Sequence, residues 1–99
     1  NGKVFGSVGS KEIVEEIKGR PVYVTIDLDV LDPSVFPGTG TPEAGGINFH
    51  EMMDLIKILK NAKIVGADVV ELSPHYDQSG ISTAAACKII RELTFAILK

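Results

Sequence analysis

A short β-branched run, Val22-Tyr23-Val24-Thr25-Ile26, ends abruptly in three carboxylates, Asp27, Asp29 and Asp32. A stretch rich in Gly, Thr and Pro follows, as far as Gly46. β-Branched and aromatic residues favour a strand. Both faces of this one are largely apolar, which predicts a parallel sheet covered on both sides. Side chains alternate along a strand, so Asp27 and Asp29 are expected on one face if the strand continues that far. They would then sit at the strand's carboxyl end, where open α/β sheets place their sites. Carboxylates this close repel one another, and a bound cation is the usual remedy. Hard divalent cations such as Mg²⁺ and Mn²⁺ take carboxylate oxygens. Two of them about 3.5–4 Å apart make a hydroxide nucleophile available at neutral pH. The competing reading is that the aspartates cap turns. It suits Asp32, which precedes Pro33, but it does not account for two carboxylates on one strand face.

The rest of the chain supplies a frame for that strand. Upstream, Lys3-Val4-Phe5 suggests a brief strand. Ser10 offers an N-cap with Glu12 in the first turn, Ile13, Val14 and Ile17 mark an apolar face, and Gly19 with Pro21 stops the helix. Downstream, Pro33, Pro37, Gly38, Gly40 and Pro42 exclude helix and strand and predict a structured loop. Asn48 and Glu51 have capping-box spacing, with Ile47 and Met52 placed for a hydrophobic staple. Met52, Leu55, Ile56 and Leu59 then follow the helical template. Ile64–Val70 predicts a second buried strand ending at Glu71, and Ser73-Pro74 breaks it. Strand, loop, helix and strand form a βαβ unit, whose crossover should be right-handed. A last helix is expected from about Ile81 to Leu98, with Ala85, Ala86, Ile89, Ile90, Leu93, Ala96 and Ile97 towards the sheet.

Ninety-nine residues make one domain or part of one. A net charge of −3 and the lack of any basic cluster with interleaved aromatics argue against a nucleic-acid partner. No apolar run approaches the ~20 residues of a membrane span, and no secretory leader is visible. Cys87 is the single cysteine, so no internal disulfide forms, a reducing, cytoplasmic setting is expected, and Cys87 reads as a small core residue. The chain begins at Asn1 rather than Met, which predicts a fragment or a processed product.

Other polar residues are weaker candidates. Glu71, closing the second strand, should share a rim with the aspartates and could hold a guanidinium or ammonium group by charge-assisted hydrogen bonds. Asp68 reads as a structural hydrogen-bonder. His50 reads as solvent-facing, and His75 lies in a loop near the site mouth without the marks of a ligand. No Ser/His/Asp or Cys/His nucleophile set is legible. The GTG at 38–40 is not a phosphate loop, because no Gly-Lys-Ser/Thr follows.

Three stretches in order, TIDLDVLDP (25–33), PGTGTPEAGG (37–46) and VVELSPHYD (69–77), closely resemble the carboxyl-terminal third of the ureohydrolases, the arginase and agmatinase family. The resemblance covers the chain from Pro21 onward. It implies that residues 1–99 are the carboxyl-terminal portion of a single ureohydrolase domain with a three-layer α/β/α parallel-sheet fold. It implies a binuclear Mn(II) site and hydrolysis of a guanidino group to urea. Asp27 would bridge both ions and Asp29 would chelate one. Glu71, the catalytic residue of this stretch, would hold the substrate guanidinium, Thr41 would line its pocket, and Gly45 and Gly46 would permit a tight loop. TPE (41–43) and ELSPHYD (71–77) look most like the agmatinase branch, with His75 standing where a second proline is common. The expected substrate is therefore agmatine, giving putrescine and urea, with guanidinobutyrate or arginine as alternatives. Relatives are commonly homo-oligomers. The family's other metal ligands come from GGDHS-like and DAHxD-like stretches that do not occur here. The chain alone is accordingly expected to be inactive, with unpaired sheet edges.

Two rival readings remain. YVTIDLDV also suits a haloacid dehalogenase-type phosphatase, but the later Lys and paired acidic motif are not evident, and the GTGTPE loop is left unexplained. A non-catalytic structural segment of a ureohydrolase is the other. An EF-hand calcium loop fits less well, because its glycine and terminal Glu are misplaced after Asp27.

Overall fold

The computed structural model describes residues 10–99. The brief strand expected at Lys3-Val4-Phe5 lies outside them, and Ser10, expected as the N-cap of the first helix, is instead its first residue. The elements run α1 (Ser10–Ile17), β1 (Pro21–Asp27), α2 (Phe49–Leu59), β2 (Lys63–Val70) and α3 (Ile81–Leu98), with 3-10 turns at Leu28–Val30 and Pro74–Tyr76. β1 and β2 pair in parallel, from Pro21 opposite Lys63 to Asp27 opposite Val70. A register shift between Val22 and Tyr23 makes Val65 the extra residue of β2. Such a bulge bends and twists the strand locally. The βαβ unit and its helix boundaries are those expected from the sequence.

α2 begins as its sequence dictates. Asn48 accepts from the Glu51 N–H at 2.8 Å, and Glu51 returns a bond from the Asn48 N–H at 3.0 Å. Two amides that the helix itself cannot satisfy thus gain partners. Met52 and Ile56 are buried and join one core with Val24 and Ile26 of β1, Leu28, Leu31 and Phe36 of the following loop, and Ala86, Ile89, Leu93 and Ala96 of α3. Each large aliphatic or aromatic side chain buried there contributes about 1.5–3 kcal/mol.

Among the described residues β1 is covered on one face only: Val24 and Ile26 are buried while Tyr23 is 61% exposed, and Val65 of β2 is 64% exposed. The helices α2 and α3 pack side by side on the Val24/Ile26 face. The described residues therefore form two layers of the α/β architecture, a parallel sheet and helices. α3 buries most of the face expected of it, Ala86, Ile89, Leu93 and Ala96 with Ile97 packed beside them, but leaves Ile90 48% exposed. Cys87 is exposed as well, not a core residue. At about 100° per residue Ile90 lies about 80° and Cys87 about 140° from the middle of that buried stripe, so both fall outside it.

Candidate functional site at the carboxyl end of the strands

The first polar residues after the core strand do not continue it. β1 stops at Asp27, whose carboxylate accepts from the Asp29 N–H at 2.9 Å and so caps the 3-10 turn Leu28–Val30. Asp29 stands on that turn, not two residues along a strand, and Asp27 is exposed rather than on a buried face. The strand-alternation argument for the pair is thereby corrected: the turn, not the pleat, carries Asp29. The bend also folds Leu28 and Leu31 into the core, where both are buried.

The loop from Leu31 to Ile47 is closed on itself. Ile47 N–H donates to the Val30 carbonyl and Asp32 N–H to the Ile47 carbonyl, both at 2.9 Å. Asp32 then accepts from Ser34 N–H and hydroxyl on one oxygen, and from Gly45 and Gly46 N–H on the other. Those donors, the Ser34 hydroxyl foremost, hold its carboxyl down at about 2. Gly45 has φ +92°. A Cβ on Gly46 would stand 2.5 Å from the Val30 carbonyl oxygen, so only glycine allows that approach. The turn-capping reading of Asp32 and the tight-loop role of both glycines agree with this geometry.

Past the loop's midpoint the chain returns to Asp29. Thr39, 3% exposed, donates its hydroxyl to Asp29 Oδ1. Thr41 donates to Asp29 Oδ2 at 2.7 Å. Thr41, expected to line a substrate pocket, thus supports a carboxylate, and Thr39 does the same without having been singled out from the sequence. The signal for Thr39 was a second threonine two residues before Thr41, in a loop returning to a D-x-D pair.

On β2, Asp68 accepts from the hydroxyls of Tyr23 and Thr25 on the open sheet face, the structural role expected of it. Its carboxylate pushes the Tyr23 phenol up from its ordinary value, mainly through their hydrogen bond. Beyond β2, Glu71 is exposed and has φ +82°, the one described non-glycine residue in the left-handed region. A β-carbon is crowded there, so the conformation costs about 1–3 kcal/mol and persists only where its surroundings impose it. His50 and His75 are both exposed. The His75 ring lies 4.1 Å from that of Tyr76.

Downstream, Asp77 accepts from the N–H and hydroxyl of Ser79 on one oxygen and of Ser82 on the other. The Ser79 and then the Ser82 hydroxyl hold its carboxyl at about 2. Neither Asp77 nor Ser82 was picked out from the sequence, although D-x-S-x-x-S before a helix is an Asx-type pattern.

An ionised carboxylate has about four acceptor sites. Asp32 and Asp77 have all four filled by the bonds just given. Asp29 has two filled, one on each oxygen, and Asp27 has one. Paired hard-oxygen donors with capacity left over, one of them oriented by two hydroxyls, fit a hard divalent cation as a partial shell. Among the described residues no group of three or more His, Cys, Asp or Glu side chains is disposed to hold a metal ion. An apolar groove of about 420 Å³ runs between α2 and the edge of β1 that no described strand pairs, lined by Val22, Val24, Met52, Ile56 and Leu59, with Asp27 also on its wall.

A parallel α/β sheet whose site residues gather where the strands end is an architecture shared by many hydrolases and binding proteins. The chain belongs to the arginase family, whose model matches residues 7–96. It is 52% identical over 91 residues to an agmatinase of Bacillus anthracis, covering 90% of this chain and 31% of that protein. An agmatinase of Halalkalibacterium halodurans is 48% identical over 85 residues, 84% of this chain and 29% of the relative. The solved structure of proclavaminate amidino hydrolase from Streptomyces clavuligerus superposes with a TM-score of 0.84 at 40% identity, covering 98% of this chain and 34% of that one. The chain thus spans about a third of the length of the relatives it matches.

Proposed function

We propose that the natural polypeptide carrying this segment is a manganese-dependent ureohydrolase, with agmatine as its first-choice substrate and putrescine and urea as products. Asp27 and Asp29 would hold manganese, and Glu71 would hold the substrate guanidinium by charge-assisted hydrogen bonds. When bound, the metal pair supplies Lewis-acid activation of water and stabilisation of developing charge. This chain's own part is orientation. Thr39 and Thr41 fix both oxygens of Asp29, and the strained Glu71 is presented at a strand end. A cationic guanidinium held against a carboxylate is placed for attack with little left to order.

The observation that carries the reading is the half-filled Asp29. Two hydroxyls aim it, and each of its oxygens keeps one acceptor site. That no group of three or more His, Cys, Asp or Glu is disposed to hold a metal among the described residues accords with the expectation that the remaining ligands come from elsewhere in the polypeptide. Likeness to agmatinases supports agmatine over arginine and guanidinobutyrate. A homo-oligomer in the cytoplasm is proposed with it.

Urea release from agmatine, guanidinobutyrate and arginine, with and without added Mn²⁺, tests the proposal on the full natural polypeptide. Manganese-dependent release, fastest from agmatine, is the expected result, with none from the 99-residue segment alone. Phosphate release from a phosphate ester, with no urea from any guanidino compound, would replace this reading with a phosphatase.

A further inference from the structure

Both backbone groups of Gly38 are tied to the segment that follows Glu71. Its N–H donates to Ser82 Oγ at 2.8 Å, and its carbonyl accepts from Ser73 N–H at 2.7 Å. Ser82 is fully buried, and its own hydroxyl donates to Asp77 Oδ2 at 2.6 Å. A hydroxyl that accepts on one side and donates on the other has its orientation fixed, and each bond polarises the next. The approach is close as well as bonded. A Cβ on Gly38 would lie 2.7 Å from Ser82 Cβ and 2.9 Å from its oxygen. The very next residue is Thr39, which is buried and donates to Asp29. Ser73, on the other side of Gly38, is two residues from Glu71.

We infer that Asp77, Ser82 and Gly38 form a latch that positions Thr39, and through it Asp29, relative to Glu71. Ser82 is then a positioning residue for metal binding. The inference rests on the ureohydrolase reading, since it needs Asp29 to be a metal ligand. The competing account is that the latch only fastens a loop to a helix. Ser79 separates the two accounts. It fills one oxygen of Asp77 as Ser82 fills the other, yet only Ser82 bonds Gly38.

The test is Mn²⁺ affinity of the full natural polypeptide, read from the electron paramagnetic resonance signal of free Mn²⁺, for wild type, Ser82→Ala and Ser79→Ala, with melting temperature followed in parallel. Loss of a supporting contact to a metal ligand weakens binding by about 10-fold or more, which is expected for Ser82→Ala, with Ser79→Ala within about two-fold of wild type. Equal weakening in both variants, or none in Ser82→Ala while wild type binds, overturns the latch alone. Wild type that binds no Mn²⁺ and releases no urea overturns the ureohydrolase reading and the latch with it. If Ser82→Ala melts below the assay temperature, Ser82→Cys takes its place with the same expectation, because a thiol fills the side chain's space but is a weak acceptor for the Gly38 N–H and a weak donor to Asp77.

Discussion

Asp29 and Asp32 lie three residues apart on one loop and differ in every respect that matters. Asp32 takes four donors, three backbone N–H groups and the Ser34 hydroxyl, all from its own loop closure, and has no acceptor site left. Asp29 takes two, both hydroxyls reaching in from ten and twelve residues away. Backbone donors fix a carboxylate as part of the fold, because moving it would strip several amides at once. Hydroxyl donors on opposite oxygens aim a carboxylate and leave its remaining lone pairs for something else. Asp77 belongs with Asp32, and Asp27 with Asp29. Partial filling is not by itself diagnostic, since Asp68 also has two donors. What distinguishes the pair is that Asp27 and Asp29 stand together where a strand ends.

The largest expected effect breaks that contrast directly. In the full natural polypeptide, Asp29→Asn should lower manganese-dependent urea release by at least about 100-fold with little change in melting temperature, as for loss of a metal-ligand charge. Asp32→Asn should do the reverse. It leaves the Ser34 donors and the Gly45 and Gly46 amides, each pair on its own oxygen in the wild type, with one oxygen between them, lowers the melting temperature, and spares activity in whatever remains folded. Paired assays of urea and thermal melting decide it, and equal loss of both in both variants would dissolve the distinction. Thr39→Val comes next. It keeps the shape of a buried side chain but removes one of Asp29's two donors, and should weaken Mn²⁺ binding by about 10-fold. Thr41→Val, at an exposed position, should cost less.

The same contrast shows how far the sequence could be read. Local rules succeeded where the structure obeys local rules. Asn48 and Glu51 cap α2 by their spacing alone, and the β-branched runs became β1 and β2. Asp32, ahead of a proline, became the turn-capping residue its position suggested. Reading failed where a residue's partner is remote or its neighbour redirects the chain. Asp27 caps a turn that lifts Asp29 out of the strand, and no alternation rule anticipates that. Tyr23 and Thr25 favour strands whichever face they occupy, so the run alone does not tell which face of β1 the described helices cover. Thr39 and Ser82 declare their roles only through bonds spanning ten and forty-four residues. Cys87 looked like core by residue type, but the phase of α3 placed it outside.

Glu71 sharpens the comparison by a smaller amount. It carries backbone strain that neither Asp27 nor Asp29 shows. Glu71→Gly should relieve it and stabilise the fold by about 1 kcal/mol, because glycine meets no β-carbon penalty at positive φ. Glu71→Gln keeps the strain and should leave stability unchanged. Both should abolish productive substrate binding. Denaturant melts of the two variants beside wild type measure the difference. A Glu71→Gly variant less stable than Glu71→Gln would show that the side chain, not the chemistry, holds that backbone in place.

The smallest effect concerns acid. The Ser34 hydroxyl foremost for Asp32, and the Ser79 and Ser82 hydroxyls for Asp77, hold both carboxyls at about 2 in the folded chain. The unfolded value is about 3.9. A depressed folded value means that the unfolded chain takes up the proton first as the pH falls. The stabilisation is therefore complete above pH about 4, shrinks below it, and is gone once the pH passes below about 2. Asparagine has no proton to gain. Asp32→Asn and Asp77→Asn should each melt below wild type at pH 7 and lose less between pH about 4 and about 2, so that the curves converge at the acid end. Both groups are open to solvent, which keeps the effect modest. Melting temperatures across pH 7 to 2 would show it. Curves that stay parallel would mean that the donors hold these side chains by shape rather than charge, and that the filled carboxylates owe their fixed place to the turn geometry alone.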